Sequence, residues 1–570
     1  MDLTRNLIQR INVGDSLTRS AAARPGHLAV VDGGRQWTYQ EFNSWVNQLA
    51  HGLAARGYTR GDALGMASGN SAEFLAVYFA CAKLGLVCVP VNLGWRSEEV
   101  AYVLDHSGAR GLVAETQLVG KVREAVVKVA AIADVIVAPG LGTGYEAEPA
   151  DRAWTTLAGV AEAGCTAEPE FFVADRDPLS YLYTSGTTSF PKGVVASHVA
   201  IYLESMGSAL DSQWNHTDRF AAMMPMFHTA QLNAFCTPAV MVGATIYVLR
   251  GFEPAALLNL IEQQRITQVF GLPMMYQATL DHPSFPDREL ESLHRCVYAM
   301  APMPDQLIRR CIDGFGCDFA LLFGQTEMSP VTTLFRPEHQ LSHIGAVGTP
   351  ITGVQVAVMG PDGELLPPGE QGEIVYRGPS TMTEYLHNET ATATAFAHGW
   401  FHSGDVGWFG PDGVLWFADR YKDVIKTGGE NVASIEVEKA VYAADPRVAE
   451  AVVVGLPHDR WDEAITAVVV PKAGDDRPSA AARCAARPAR RLQGAEGGAG
   501  RGRAAQDVDR QDPEERGPGH PRGALPELTG DGGWPTTSSA GTAAAAGPAH
   551  SCPSARCPRP PAGPGPGRPG

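Results

Sequence analysis

Between Ser71 and Glu115 the chain reads SAEFLAVYFACAKLG, LVCVPV, SEEVAYVLDHSG and GLVAE, so helical stretches alternate with short apolar, β-prone runs. A helix between two strands carries the chain back across the sheet, and the next strand lies parallel to the last. This alternation therefore favours a largely parallel, doubly wound α/β sheet. The rhythm returns in ALLNLIEQQRITQVFGLP. Upstream, Thr38 and Glu41 form a capping-box pattern. Phe42, Val46, Leu49, Ala50 and Leu53 follow at helical spacing until Gly57 ends the run, giving a helix with one face for a core. At 570 residues the chain exceeds what one core usually serves, so two or more domains are expected.

From Ile351 the pattern changes to strands broken by turn signals. VQVAVMGPDGELLPPGEQGEIVYRG and WFGPDGVLWFADR place Asp/Gly/Pro-rich turns between β-prone runs, which predicts a smaller β subdomain. After Arg420 comes a short α+β stretch with a helix from about Ser434 to Ala444 and strands VAEAVVVGLP and EAITAVVVP. Beyond Asp476, Ala, Arg, Gly and Pro dominate and apolar periodicity vanishes, so residues 477–570 cannot bury enough surface to offset their ordering entropy and read as a disordered tail. The expected organisation is a large N-terminal domain of several subdomains over 1–420, a small truncated α+β domain over 421–476, and that tail.

The net charge of −17 argues against nucleic-acid binding, which needs clustered Lys and Arg, and gives anionic membranes no general attraction. The start, MDLTRNLIQRINVGD, lacks the apolar core of a signal peptide and no run has the length of a bilayer-spanning helix, so the cytoplasm is expected. Ten cysteines lie scattered without a C-x-x-C pair, which suggests buried thiols rather than zinc. Nothing here fixes an oligomeric state.

YTSGTTSFPKG, Tyr183 to Gly193, does nothing for a core. Glycines such as Gly186 give it backbone freedom, bare amides and the hydroxyls of Ser185, Thr187 and Thr188 can donate to phosphate oxygens, and Lys192 brings a mobile positive charge. A glycine-serine linker is the plainer reading of such a run. The flanks LSYLY and VVASH, both β-prone, hold it between ordered segments instead. It is not the G-x-x-x-x-G-K-[ST] P-loop, because Gly193 stands where the magnesium-binding hydroxyl would be, and no G-x-S-x-G elbow surrounds Ser185.

The loop resembles the signature of the adenylate-forming superfamily, which includes acyl-CoA synthetases, luciferases and nonribosomal-peptide adenylation domains. Five further motifs of that family occur in family order: PMFHTA at Pro225, APMP at Ala301, FGQTE at Phe323, GWFHSGD at Gly399 and DRYKDVIKTGGEN at Asp419. The resemblance covers roughly residues 15–475. It implies ATP, Mg2+ and coenzyme A acting with a carboxylic acid. By resemblance, Thr184 and Lys192 belong to the loop gripping the β- and γ-phosphates, Thr326 contacts the α-phosphate, and Glu327 binds magnesium, a cation that takes hard oxygen ligands. Phe323 and Gly324, with Gln325 beside them, would line one face of adenine, and Ala301 and Pro302 the other. Asp405 would accept from the ribose hydroxyls, a pairing suited to a two-oxygen acceptor, while His228 would lie by the acyl carboxylate. A core aromatic at Phe323, a turn aspartate at Asp405, a helix-start carboxylate at Glu327 and a core histidine at His228 are the structural alternatives.

The resemblance also implies a small C-terminal domain that swings about Lys422, with Arg420 on the ribose and Lys426 reaching the adenylate. Gly428, Gly429, Glu430 and Asn431 resemble the loop lining a pantetheine tunnel, which favours CoA over a carrier protein. Two departures loosen the geometry: Ser189-Phe190 in the loop, and Met300 where a glycine is frequent. The third concerns chemistry. Family members carry a late lysine in a Pro-x-x-x-x-Gly-Lys segment, and residues 477–570 supply none. Reading Arg491 to Glu496 back through permitted codons one base later yields Gly-Phe-Lys-Val-Pro, and Asp509 to Pro513 yields Thr-Gly-Lys-Ile, both family phrases. A frameshift near residues 477–484 is therefore expected. Without the lysine, adenylation would fall roughly 100- to 1000-fold, by analogy with removing one transition-state donor.

The sequence thus points to an ATP-dependent acyl-CoA synthetase for a medium- or long-chain fatty acid, the acid being inferred from the resemblance and from Phe227, Leu232, Phe235 and Leu272 around His228. The alternatives are an acyl-adenylate ligase feeding a carrier protein, and a nucleotide-binding protein without catalysis.

Overall fold

In the computed structural model, Thr38 caps its helix as the pattern requires. Its hydroxyl accepts from the Glu41 amide at 3.3 Å, and the Glu41 carboxylate accepts from the Thr38 amide at 2.8 Å. The helix Tyr39–Ala55 then buries Phe42, Val46, Leu49, Ala50 and Leu53. Ser71 caps Ala72–Leu84, which ends on Gly85 at φ 77°. That second helix is buried on every side, so its two charges need partners. Glu73 meets Arg35, and the Lys83 ammonium donates to Asn43 at 2.6 Å, Asn47 at 2.7 Å and Glu168 at 2.8 Å.

The structure describes residues 2–140, 154–184, 191–300, 303–421, 423–427, 430–445, 447–458 and 462–471, all within one compact unit, Met1–Ala486. Among them are three sheets. An eight-stranded sheet is centred on Ala63–Ala67, Val87–Pro90 and Ala109–Glu115, the strands of the opening rhythm, and is parallel there. A thirteen-stranded sheet holds the parallel strands Thr245–Val248, Arg219–Ala222, Gln268–Gly271, Arg295–Tyr298 and Asp318–Gly324. It continues, now antiparallel, through Val331–Phe335 into the strands after Ile351. The doubly wound α/β expectation holds. The expected β subdomain is an extension of that second sheet, because Ala346–Pro350 pairs with Val331–Phe335 on one side and Leu415–Arg420 on the other.

The third sheet has four strands, Glu430–Val432, Ile425–Thr427, Asp462–Pro471 and Val448–His458, with the helix Ser434–Ala444 against it. Its long hairpin packs Val448, Ala451 and Val469 with Val441 of the helix, whereas Val452, Val454, Leu456, Val468 and Val470 are exposed. The proposed tail lies outside the described residues. Described cysteines are free thiols, and no described helix is long and apolar enough to cross a membrane.

The site follows from strand direction. In an open parallel sheet the loops after the carboxyl ends of the strands gather on one edge. Here the turns after Arg219–Ala222, Arg295–Tyr298 and Asp318–Gly324 bring His228, Met300 and Thr326 to that edge.

Candidate active site

A cavity of about 660 Å³ collects residues from all these turns. Thr184 and Lys192 pair directly across the hairpin Pro178–Thr184/Lys192–Ser197 and both line it. Ser185, Gly186, Thr187 and Thr188 lie outside the described residues. The Lys192 ammonium sits 4.9 Å from the centre of the Tyr385 ring, a cation–π distance, and the Tyr385 hydroxyl donates to Glu327 Oε1 at 2.8 Å. Burial, and secondly the Glu327 carboxylate, push the Tyr385 phenol well above its ordinary pKa, so it stays a donor.

Thr326 and Glu327 stand on a 3-10 turn, Thr326–Met328, leaving the strand Asp318–Gly324. The Glu327 carbonyl accepts from the Met382 amide at 2.6 Å, which fixes the turn. Gly324 cannot be replaced cheaply: a Cβ there would lie 2.0 Å from the Pro330 carbonyl oxygen. Gln325 lines the cavity with its amide nitrogen buried and unpartnered, a donor available to an anionic ligand.

Phe323 and Phe417 stand together, ring centres 5.5 Å apart, on one wall. Ala301 and Pro302, expected from the resemblance to form the opposite wall, lie outside the described residues. Their neighbour Met300 adopts φ 70°, which explains why a glycine would suit its position. A side chain held in that region costs roughly 1–2 kcal/mol. Below the aromatic wall, Asp405 is buried at 2 % exposure and pairs in register with Arg420. Arg420 Nε is 3.1 Å from Asp405 Oδ1, close enough for ion pairing, yet that oxygen accepts no well-aligned hydrogen bond. Burial above all raises the Asp405 pKa to about 6, Glu327 and Glu373 adding to the effect while Arg420 opposes it. An orphaned buried acceptor beside an aromatic wall suits a diol such as ribose.

His228 follows the strand Arg219–Ala222 and opens towards the cavity, its ring 4.8 Å from that of Phe227. The cavity walls strip enough water to lower its pKa from 6.5, which favours the neutral imidazole. Of the apolar residues expected around it, Phe235 lines the cavity and Phe227 touches the imidazole, whereas Leu232 packs into the core and Leu272 caps the helix Pro273–Leu280.

Of the C-terminal residues, Arg420 lines the cavity and Lys426 does not. Lys426 is exposed on the strand Ile425–Thr427, its amide bonded to Glu463 at 2.6 Å. Ile435 and Lys439, one helical turn apart and hence on one face, line the cavity instead. Glu430 and Asn431 form a short strand with Val432, while Lys422, Gly428 and Gly429 lie outside the described residues. Sequence reading missed Tyr385 and Lys439. The i, i+4 spacing from Ile435 marks Lys439, but a two-residue strand, Glu384–Tyr385, carries no periodicity that would mark Tyr385.

No group of three or more His, Cys, Asp and Glu side chains fit to hold a metal occurs among the described residues. The Glu327 carboxylate offers hard oxygens at the cavity, which fits a Mg2+ ion held chiefly by substrate phosphates rather than a dedicated protein cage.

A hydroxyl- and lysine-bearing hairpin, an orphaned carboxylate and an aromatic wall gather around one cavity, a set of groups suited to an enzyme that uses a nucleotide. The chain belongs to the AMP-binding enzyme family, in its acyl-CoA synthetase type, and is an acid–thiol ligase: the model of that family matches residues 17–386, and the model of its C-terminal domain matches 436–493, running past Asp476. A feruloyl-CoA synthase of Amycolatopsis sp. is 35% identical over 462 residues, 81% of this chain and 89% of its own. The fatty acid–[acyl-carrier-protein] ligase ScoC of Streptomyces coeruleorubidus is 34% identical over 80% of this chain and 85% of its own. A solved structure of a Mycobacterium tuberculosis fatty acyl CoA synthetase superposes with TM-score 0.68 at 29% identity, covering 81% of this chain and 88% of that one.

Proposed function

We propose that the protein activates an apolar carboxylic acid with ATP and transfers the acyl group to coenzyme A. The observation that carries this reading is the sharing of one cavity by Lys192, Glu327, Asp405 and His228. The acid carboxylate attacks the α-phosphorus, pyrophosphate departs, and the CoA thiol then attacks the acyl carbon and expels AMP. Lys192 and the Thr184 hydroxyl hold the departing phosphates, Gln325 and Thr326 donate to the α-phosphate, and Asp405 with Arg420 fixes the ribose. Neutral His228 sits beside the carboxylate without neutralising it, which leaves the nucleophile its charge. Bound at Glu327, Mg2+ would offset negative charge on the phosphates. The cytoplasm, where ATP and CoA are supplied, is the proposed location.

Fatty and aryl acids both appear in the names of the similar proteins, and ScoC's name supports a second reading in which a carrier-protein thiol replaces CoA. We also propose that Lys426 and the segment from Gly428 to Asn431 serve the thioester step from a second pose, that the functional division falls near Arg420, and that a frameshift removed the late lysine. A pyrophosphate-release screen over fatty, aryl and short acids, with and without CoA, on this chain and on a frame-restored one, tests these together. Acid-dependent release with acyl-CoA formation is expected. Release without a CoA thioester favours the carrier reading, and ATP binding with no acid-dependent release in either chain refutes acid activation. An uninterrupted gene encoding residues 477–570, with peptides from that tail in the purified protein, refutes the frameshift.

A further inference from the structure

The helical segment after His228 changes pitch at one place. Leu232–Cys236 forms a π-helical turn between Thr229–Gln231 and Thr237–Val242, a distortion that concentrates at functional sites because it re-aims side chains. The turn is pinned by buried polar groups. The Thr237 hydroxyl donates to the Asn233 carbonyl at 2.7 Å, and Ser205 lies 2.7 Å from that hydroxyl. The Asn233 side chain is held by Tyr78 at 3.0 Å and Thr229 at 2.9 Å.

The wide turn presents Ala234 and Phe235 to the cavity. Phe235 does not project freely, because its ring stacks on Phe270 at 4.3 Å with 12° between planes. Phe220 lies behind Phe235 at 5.1 Å and 9°, and Trp214 closes the group 5.5 Å from Phe220. The four rings are between 0% and 7% exposed. An alkyl tail running from His228 towards these residues would meet the stacked rings of Phe235, Phe270 and Phe220, whereas a flat ring can lie against their face or edge.

Resting on the acid-activating reading above, the geometry points to Phe235 and Phe270 as the floor of the acyl lobe, and to an aryl or aryl-alkenyl carboxylic acid as the substrate class preferred over a long alkyl chain. This narrows the fatty-acid expectation of the sequence.

Titration calorimetry on the full chain with AMP and with the non-hydrolysable cinnamoyl- and hexadecanoyl-sulfamoyl adenosines tests the floor without needing turnover. The cinnamoyl compound should bind at least roughly a hundredfold more tightly than the hexadecanoyl one, as misfit in a packed pocket costs about 10- to 200-fold for a single methylene. Phe270→Leu, and separately Phe235→Leu, should narrow that ratio at least roughly tenfold, with unchanged AMP affinity showing that each variant is folded. Hexadecanoyl binding as tight as cinnamoyl in the parent, or a ratio unmoved in both folded variants, overturns the floor alone. Failure of both acyl compounds to bind more tightly than AMP overturns acid activation and the floor with it.

Discussion

Replacing Asp405 by asparagine should stabilise the ligand-free protein while weakening its grip on adenosine nucleotides. Asp405 ordinarily titrates at 3.8, and its burial raises that to about 6. Holding it ionised at neutral pH therefore opposes folding by roughly 3 kcal/mol, at about 1.4 kcal/mol per tenfold change in proton affinity. The Arg420 side chain that attracts it is 49% exposed, so solvent screens much of that attraction and asparagine sacrifices little by losing it. Below pH 4 the aspartate is neutral in folded and unfolded chains alike and the substitution gains nothing. Between pH 4 and about 6 the unfolded chain releases the proton first, so the parent loses stability and the variant's advantage grows; above pH 6 it is constant. Thermal melts of both proteins at pH 4.5 and 7.5, without nucleotide, read the effect directly. AMP titrations at pH 7.5 should show roughly 10- to 100-fold weaker binding, the worth of charge-assisted hydrogen bonds. A variant that melts below its parent at pH 7.5, or whose advantage is as large at pH 4.5, refutes the reasoning.

Glu327→Ala in the frame-restored protein should cut acid-dependent pyrophosphate release roughly 100- to 1000-fold while leaving AMP affinity nearly unchanged; equal losses in both would place Glu327 in the fold rather than the chemistry. Tyr385→Phe removes only the hydroxyl that orients Glu327, so the magnesium concentration for half-maximal release should rise several-fold, and an unchanged magnesium curve tells against that role. Glu168→Ala leaves the Lys83 ammonium buried with two amide acceptors, and a loss of about 3 kcal/mol in denaturant unfolding is expected. Thr38→Ala opens the capping box at a cost of about 1 kcal/mol, measurable in the same unfolding experiment.

The helices and parallel strands were legible because their signals are local. Ser71 and Gly85 bracket a helix by capping chemistry alone, and Thr38 with Glu41 starts another. Lys192, Glu327, Asp405 and His228 were legible one by one, and the fold adds that they face a single cavity. What the sequence hid is what depends on distant pairing. Ala346–Pro350 joins the later strands to the large sheet by bonds that no run of residues announces. Tyr385 reaches Glu327 across 58 positions. The π turn at Phe235 breaks the helical period on which sequence reading depends, so its direction into the cavity could not be counted off from His228.

The bare valines on the small sheet have a practical side. Val452 and Val468 face each other across the hairpin, with Val454, Leu456 and Val470 extending the same greasy ribbon. Ribbons of this kind adhere to one another. At storage concentrations this ribbon is the face through which copies of the protein should associate, so dilution and mild detergent should keep them apart.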